Sequence, residues 1–307
     1  MSNLTLRQLR YFEALAQHGH FGRAAEACAI SQPALSQQIR DLEETLGASL
    51  FERGPRQVRL TPFGEEFAPR ARDILRSVDE LGDLARASTG RLAGRLRIGV
   101  IPTVAPYLLP AVIAHLGQLY RQVDLQVRET LTAKLLREVA EGRLDTAIVA
   151  LPVSDPAFEE VDLFEEYFVL VRPQEDARKP VPNTEMLREM RLLLLEEGHC
   201  FRDQALSFCA MQGARPREIL EGSSLSTLVQ MVSAGIGVTL IPQMAVAVET
   251  RSALVSLDRF PAPEPRRRVG MVWRKANPLA RELQTIAAEV RQASLLLREK
   301  SQALLPS

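Results

Sequence analysis

A chain of 307 residues is long enough for two domains that each bury a core, and 46% hydrophobic with 25% charged residues is ordinary soluble globular composition. The formal net charge is zero, which excludes a global basic field for nucleic acid, so any such role must rest on local patches. Lysine occurs only at Lys134, Lys179, Lys275 and Lys300, so arginine carries nearly all the positive charge.

The N-terminus, Met1-Ser2-Asn3-Leu4-Thr5-Leu6-Arg7, lacks a long apolar run. No segment reads as a signal peptide or membrane span, and the expectation is a cytoplasmic chain with no membrane contact. Leu6, Leu9, Phe12 and Leu15 recur at helical spacing, and Gly19 ends that helix. A second short helix is predicted from about Phe21 to Cys28, with Ala24-Ala25 leaving room for a close crossing. Ser31 stands where an N-cap belongs, with Pro33 in the first turn. The third helix runs on through Leu35, Ile39, Leu42 and Leu46 to Gly47. Phe51 to Leu60 reads as a small hairpin wing, turning at Gly54-Pro55 and projecting Arg53, Arg56 and Arg59.

From Pro62 to about Thr89 the pattern is one long helix. Ala71, Ile74, Val78, Leu81 and Ala85 alternate three and four residues apart, a coiled-coil seam that needs a partner, most simply the same helix of a second subunit. Gly90 to Gly94 makes a joint. Beyond it strands and helices alternate in the α/β manner. The strand Leu96–Ile101 precedes a helix with Leu109, Val112, Ile113, Leu116 and Tyr120 on one face. A strand near Leu125–Arg128 leads to a helix opening at Thr132 and closed by Gly142, and Thr146–Ala150 is a buried strand. Phe168–Arg172 and Leu192–Leu195 are strands of a second unit, followed by a helix over Ser224–Ala234 and the strand Val238–Ile241. Arg268–Trp273 and a final helix from about Pro278 to Arg298 return to the first unit.

The helix, tight turn and helix near the N-terminus are the parts of a helix-turn-helix, whose second helix enters the major groove. That helix offers Gln32, Ala34, Ser36, Gln37 and Arg40. Amides and hydroxyls read base edges, an arginine holds phosphate or guanine, and the wing arginines neutralise the flanking backbone. The same pattern also suits a small three-helix bundle with a polar solvent face.

Phe21-Gly22-Arg23-Ala24-Ala25, Ser31 through Ile39 (SQPALSQQI) and Leu42 through Gly47 (LEETLG) together resemble the LysR-type regulators. Leu50-Phe51-Glu52-Arg53 and Leu60-Thr61-Pro62-Phe63-Gly64 extend the likeness into the wing and the long helix, and it covers the full length. The resemblance implies an N-terminal α winged helix-turn-helix, a linker helix, and a C-terminal α/β sensor. That sensor has two Rossmann-like subdomains around a cleft, in the manner of periplasmic binding proteins. The implied division is 1–60 for the DNA-binding domain, 61–90 for the linker, 91–165 with 267–307 for sensor subdomain I, and 166–266 for subdomain II. It further implies a homodimer through the linker helix that assembles into a homotetramer on double-stranded DNA, at an extended, imperfectly palindromic site. RNA polymerase is a further candidate partner. By position, Gln32, Pro33, Ala34, Ser36 and Gln37 meet DNA, with Arg53 on the wing.

The sensor's most informative stretch is Glu197-Gly198-His199-Cys200-Phe201-Arg202-Asp203-Gln204-Ala205-Leu206-Ser207-Phe208-Cys209. Phe201, Ala205 and Phe208 share a face, so Phe201 to about Gln212 is predicted helical, with Gly213 past its end. Cys200 then lies at a helix N-terminus, where the dipole favours a thiolate and Arg202 and His199 add positive charge. Nine helical residues hold the Cα atoms of Cys200 and Cys209 about 13 Å apart on opposite faces, whereas a disulfide tolerates about 7 Å. A bond between them therefore demands that the segment unwind. Residue type alone leaves two readings: a redox pair, or two small core residues.

Gly198 to Cys209 also resembles the peroxide-sensing branch of the LysR-type regulators, as do Ile101 to Pro110 and Glu264-Pro265-Arg266-Arg267. That likeness implies oxidation of Cys200 by hydrogen peroxide and closure of a Cys200–Cys209 disulfide. Cys28 reads as core packing. Thr103 and Thr132, after the first two sensor strands, stand where open α/β sheets bind ligands, and each hydroxyl is placed to hydrogen-bond peroxide or to cap a helix. His199 and Asp203 orient or balance the thiolate, or pair with Arg202. Arg266 and Arg267 read as a solvated charged loop. No cofactor or metal is expected, and no enzymatic activity. The competing readings are a regulator with a small organic effector in its cleft, a thiol peroxidase and a solute-binding protein.

Overall fold

The computed structural model describes residues 4–53, 58–88, 94–210 and 218–302. The chain forms two compact units, residues 1–85 and 86–307. In the first, α1 (Leu6–His18) opens with a reciprocal capping box between Thr5 and Gln8 and closes at Gly19, whose φ of 58° is left-handed. Helices α2 (Phe21–Ala27) and α3 (Gln32–Leu46) follow, then the antiparallel hairpin of β1 (Phe51–Arg53) and β2 (Val58–Leu60). The helix α4 (Pro62–Ser88) completes the unit.

Leu9, Phe12 and Leu15 bury the inner face of α1, while Leu6, expected on that face, is 42% exposed. Ala24 and Ala25 are buried, as a close α1–α2 approach requires. Phe12 meets Phe51 at 5.3 Å and Phe67 edge-on at 5.0 Å, so hairpin and α4 close one core. Ala68, Ala71 and Leu75 belong to this core. Ala71, expected in the intersubunit seam, is thus used within its own unit, because the first turns of α4 roof the winged helix. Ile74, Leu81 and Leu84 are exposed, and Val78 is half-buried. The hairpin turn Gly54-Pro55, Arg56, the joint at Gly90–Ala93 and the Ala85 side chain lie outside the described residues.

The second unit contains β3 (Gly94–Val100), α5 (Ala105–Leu119), β4 (Val123–Glu129), α6 (Thr132–Ala140) and β5 (Thr146–Leu151). There follow β6 (Phe158–Pro173), α7 (Thr184–Glu189), β7 (Arg191–Leu195), α8 (Cys200–Ala210), β8 (Glu218–Gly222), α9 (Leu225–Ser233) and β9 (Val238–Pro242). Last come α10 (Val246–Glu249), β10 (Val255–Arg259), β11 (Arg266–Arg274) and α11 (Ala280–Gln302). The strand order is β4-β3-β5-β11-β6-β9-β7-β8, with β10 also paired to β6. Two parallel trios, β4-β3-β5 and β9-β7-β8, are therefore joined through the antiparallel strands β11 and β6. Parallel neighbours need crossover helices, and these supply the apolar faces that cover the sheet.

The 16-residue β6 is the joining element. Its residues 158–167 pair with β11 and its residues 168–173 with β9 and β10, so the 165/166 boundary falls inside a strand. One core continues across both halves and contains Ile148 of β5, Leu170 of β6, Leu193 of β7 and Trp273 of β11. On α5 the buried stripe is Leu108, Val112 and Leu116, and Ile113 points out at 47% exposure.

Candidate functional site

Two surfaces carry polar chemistry, one in each unit. In the first, Ser31 caps α3 by accepting the Ala34 N–H, and Pro33 occupies the first turn, where a missing N–H is harmless. The turn before it passes through Ala29 at a left-handed φ of 52°. Leu35, Ile39 and Leu42 anchor α3 in the core, which leaves Gln32, Pro33, Ala34, Gln37 and Arg40 exposed and Ser36 half-buried. Arg40 donates to the Gln37 side-chain Oε1 at 2.8 Å, and the Gln37 side-chain Nε2 donates to Asp41 at 2.7 Å. Asp41, not singled out by sequence, thus orients two candidate base readers. On the hairpin Arg59 is exposed and sits in register opposite Glu52. Arg53 ends β1, and its side chain lies outside the described residues.

In the second unit, Cys200 is the first residue of α8 and Cys209 belongs to the same continuous helix. Cys200 is a free, half-buried thiol packed on the sensor core, while the Cys209 side chain lies outside the described residues, as do Gln212 and Gly213. Phe201 is buried and meets Phe168 edge-on at 4.8 Å, which ties the first turn of α8 to β6. The preceding Gly198 has φ 94°, and a Cβ there would stand 3.0 Å from Leu131 Cδ1, so this loop runs against the start of α6. At that helix start the Thr132 hydroxyl is buried without a hydrogen-bond partner among the described residues. Thr132 does not cap α6, whose N-cap is Leu131.

Charge around this helix is arranged differently from expectation. Arg202 donates to the Leu195 carbonyl at 2.9 Å and to Glu221 at 2.6 Å, so it anchors α8 to β7 and β8. Burial pushes the His199 pKa below its ordinary value, against the pull of Glu196, and favours neutral imidazole. Asp203 is exposed.

Arg266 and Arg267 form the start of β11 and not the expected loop, and the expected solvation is corrected for Arg267. Arg266 stays exposed and pairs with Glu165 at 3.1 Å. The Arg267 side chain is 0% exposed. Its Nε donates to Glu166 at 2.8 Å, its Nη1 to the Thr103 hydroxyl at 2.8 Å and its Nη2 to the Thr103 carbonyl at 3.1 Å. The guanidinium carbon stands 5.2 Å from the centre of the Phe201 ring. Glu166, missed by sequence, was signalled by the alternation Phe164-Glu166-Phe168, all three buried on one face of β6. Cys28 is half-buried at the end of α2, where burial pushes its thiol pKa up.

Residues 6–65 match the bacterial regulatory helix-turn-helix proteins of the lysR family, and residues 89–294 match the LysR substrate binding domain. The chain belongs to the LysR family. Among relatives of this LysR-family regulator, a probable hydrogen peroxide-inducible genes activator of Streptomyces viridosporus is 47% identical over 294 residues, covering 94% of each chain. The DNA-binding transcriptional dual regulator OxyR of Escherichia coli is 42% identical over 292 residues, 94% of this chain and 95% of that one. Full-length OxyR from Pseudomonas aeruginosa, solved as a cysteine-to-aspartate variant, superposes with TM-score 0.74 at 36% identity, covering 95% and 96% of the two chains. A hydrogen peroxide-bound cysteine-to-serine mutant of Corynebacterium glutamicum OxyR gives TM-score 0.69 at 33% identity, covering 97% and 95%. The LysR-family fold is therefore an N-terminal helix-turn-helix unit followed by a two-subdomain α/β regulatory domain. LysR-type regulators bind DNA and form oligomers. Among the described residues no helix is long and apolar enough to cross a membrane.

Proposed function

We propose that this regulator senses hydrogen peroxide in the cytoplasm through Cys200 and reports it to DNA. The observation that carries the reading is that Cys200 and Cys209 belong to one unbroken helix, α8. The Cys200 thiolate attacks one peroxide oxygen and the O–O bond breaks. The other oxygen leaves as hydroxide and ends as water, and sulfur, oxidised by two electrons, becomes a sulfenic acid. The Cys209 thiol then displaces water from that sulfur to close a disulfide. Helical geometry keeps the two Cα atoms about 13 Å apart, beyond the span of about 7 Å that a disulfide accepts. Closing the bond therefore unwinds α8, and with it the contacts that Phe201 and Arg202 make to β6, β7 and β8.

Thr103 and Thr132 flank the peroxide position as hydrogen-bonding groups, His199 stays neutral beside the sulfur, and Arg202 and Asp203 serve the surrounding helix. On the DNA side, Gln32, Pro33, Ala34, Ser36, Gln37 and Arg40 face the major groove and Arg53 the flanking backbone. The regulator works as a homodimer through α4 and as a tetramer on an extended imperfect palindrome, with RNA polymerase as the downstream partner. One peroxide is consumed per switching event, so this is a signal and not enzymatic turnover.

The test is peptide mass mapping without reduction, before and after one equivalent of hydrogen peroxide. A rapidly formed Cys200–Cys209 peptide, reversed by dithiol, is the expected result. If both thiols survive excess peroxide, the sensing reading fails and an organic effector in the cleft replaces it.

A further inference from the structure

We propose that Glu166 is a positioning residue for the oxidation of Cys200, acting through Arg267 and Thr103; the proposal rests on the peroxide-sensing reading above. Glu166 and Arg267 are 101 positions apart in sequence and both buried, on the neighbouring strands β6 and β11. The Glu166 carboxylate holds Arg267 Nε at 2.8 Å and Nη2 at 2.6 Å, and its second oxygen accepts the Met244 N–H at 3.4 Å. Both carboxylate oxygens are therefore engaged, and the guanidinium is clamped along one edge. Its Nη1 is left aimed at the Thr103 hydroxyl at 2.8 Å, and its carbon stands 5.2 Å from the ring centre of Phe201, the residue bonded to Cys200.

The polarity of this chain follows from the donor inventory. Arginine can only donate. The Thr103 oxygen is thus taken as acceptor, and the hydroxyl hydrogen must point away from Arg267. Thr103 is buried at 2% exposure in the loop after β3, so water does not compete for that hydrogen, and the hydroxyl is left to donate. When the Cys200 sulfur takes one peroxide oxygen and the O–O bond breaks, negative charge grows on the departing oxygen before it is protonated to water. A donor held ready beforehand, on the threonine that the reading above sets beside the peroxide, stabilises that charge without reorganising. Glu166 touches neither sulfur nor peroxide. It sets the orientation of Arg267, and Arg267 sets which way Thr103 donates. The buried pair also neutralises itself, so Arg267 can stay dehydrated beside Phe201.

The test compares two reagents at Cys200 in the full-length protein: hydrogen peroxide, which needs the donor, and iodoacetamide, which needs only the thiolate. In Glu166→Gln the ratio of peroxide to iodoacetamide rate constants is expected to fall roughly tenfold or more. Glu166→Asp, which keeps the charge, should recover part of that loss. A merely structural role would change both rates by the same factor, and a ratio that falls by less than about tenfold in Glu166→Gln overturns the proposal. Should Glu166→Gln fail to fold, Glu166→Asp decides alone: an unchanged ratio overturns the proposal and a lowered one supports it. A wild-type Cys200 that peroxide leaves reduced would instead overturn the sensing reading itself, before any variant is compared.

Discussion

Three consecutive side chains at the head of α8 occupy different environments, and the differences organise the chemistry. His199 is half-buried with its pKa depressed by burial, Cys200 is half-buried and free, and Phe201 is locked between Phe168 and Arg267. Cys200→Ser should abolish the peroxide response while leaving DNA binding intact, measured by gel shift on a site selected from random DNA. A peroxide-dependent shift in that variant would remove Cys200 from the mechanism. In Cys209→Ser, mass spectrometry should find Cys200 trapped as sulfenic acid or overoxidised, with no intramolecular bridge. For His199, burial penalises the imidazolium, so the unfolded chain binds the proton more tightly than the folded one. Its stabilising effect is fully present above the unfolded pKa of about 6.5 and is lost as pH falls through that value toward the lower folded pKa. His199→Asn should flatten this acid slope, read as the urea midpoint from fluorescence of Trp273, the single tryptophan, buried in the sensor core. Parallel slopes in wild type and variant would refute the assignment.

Among the elements, α4 shows how one helix serves two purposes along its length. Thr61 caps it, accepting the Gly64 N–H at 3.0 Å while donating to the Ser49 carbonyl at 2.7 Å. Gly64 is required by close approach and not by backbone angle: a Cβ there would stand 2.2 Å from the Leu50 carbonyl oxygen. Gly64→Ala should therefore destabilise the N-terminal unit by about 1–3 kcal/mol, as overpacking does. Gly82, on the same helix with nothing within 4 Å of its virtual Cβ, should behave oppositely. Gly82→Ala is expected to stabilise by up to about 1 kcal/mol through helix propensity. Calorimetry of the two full-length variants gives the comparison, and equal effects of one sign would contradict it. Among the strands, β6 is legible only in part. Phe168–Arg172 reads as a strand by its apolar run, whereas Phe158–Tyr167 mixes five acidic residues into a partly buried strand that its pairing with β11 makes intelligible.

For the assembled protein, the later turns of α4 present Ile74 at 45%, Leu81 at 66% and Leu84 at 58% exposure. Large side chains repeated at helical spacing on an otherwise polar helix are costly to leave in water, about 1.5–3 kcal/mol for each one that could be buried. The same stripe on a second copy is complementary by two-fold symmetry. Leu81→Glu combined with Leu84→Glu should dissociate the proposed α4 dimer, seen as a drop in sedimentation mass and a weaker, shorter DNA footprint. An unaltered mass would place the subunit contact elsewhere.

The ends of α1 and α3, the capped α3 with its exposed Gln32, Gln37 and Arg40, the hairpin pairing and the position of Cys200 at a helix start were legible in the amino-acid sequence. Capping, turn chemistry and 3.6-residue periodicity act over a few positions, so the residues that decide them are neighbours in the chain. Tertiary structure alone decided the rest. It buried Arg267 against Glu166 and Thr103, turned Arg202 toward Glu221, and took Ala71 into the winged-helix core while leaving Leu84 outside it. Each of those outcomes depends on which distant segments lie side by side. A charged residue reads as solvated by type, and only strand order and register, here β11 beside β6, determine whether a partner waits within reach in the core.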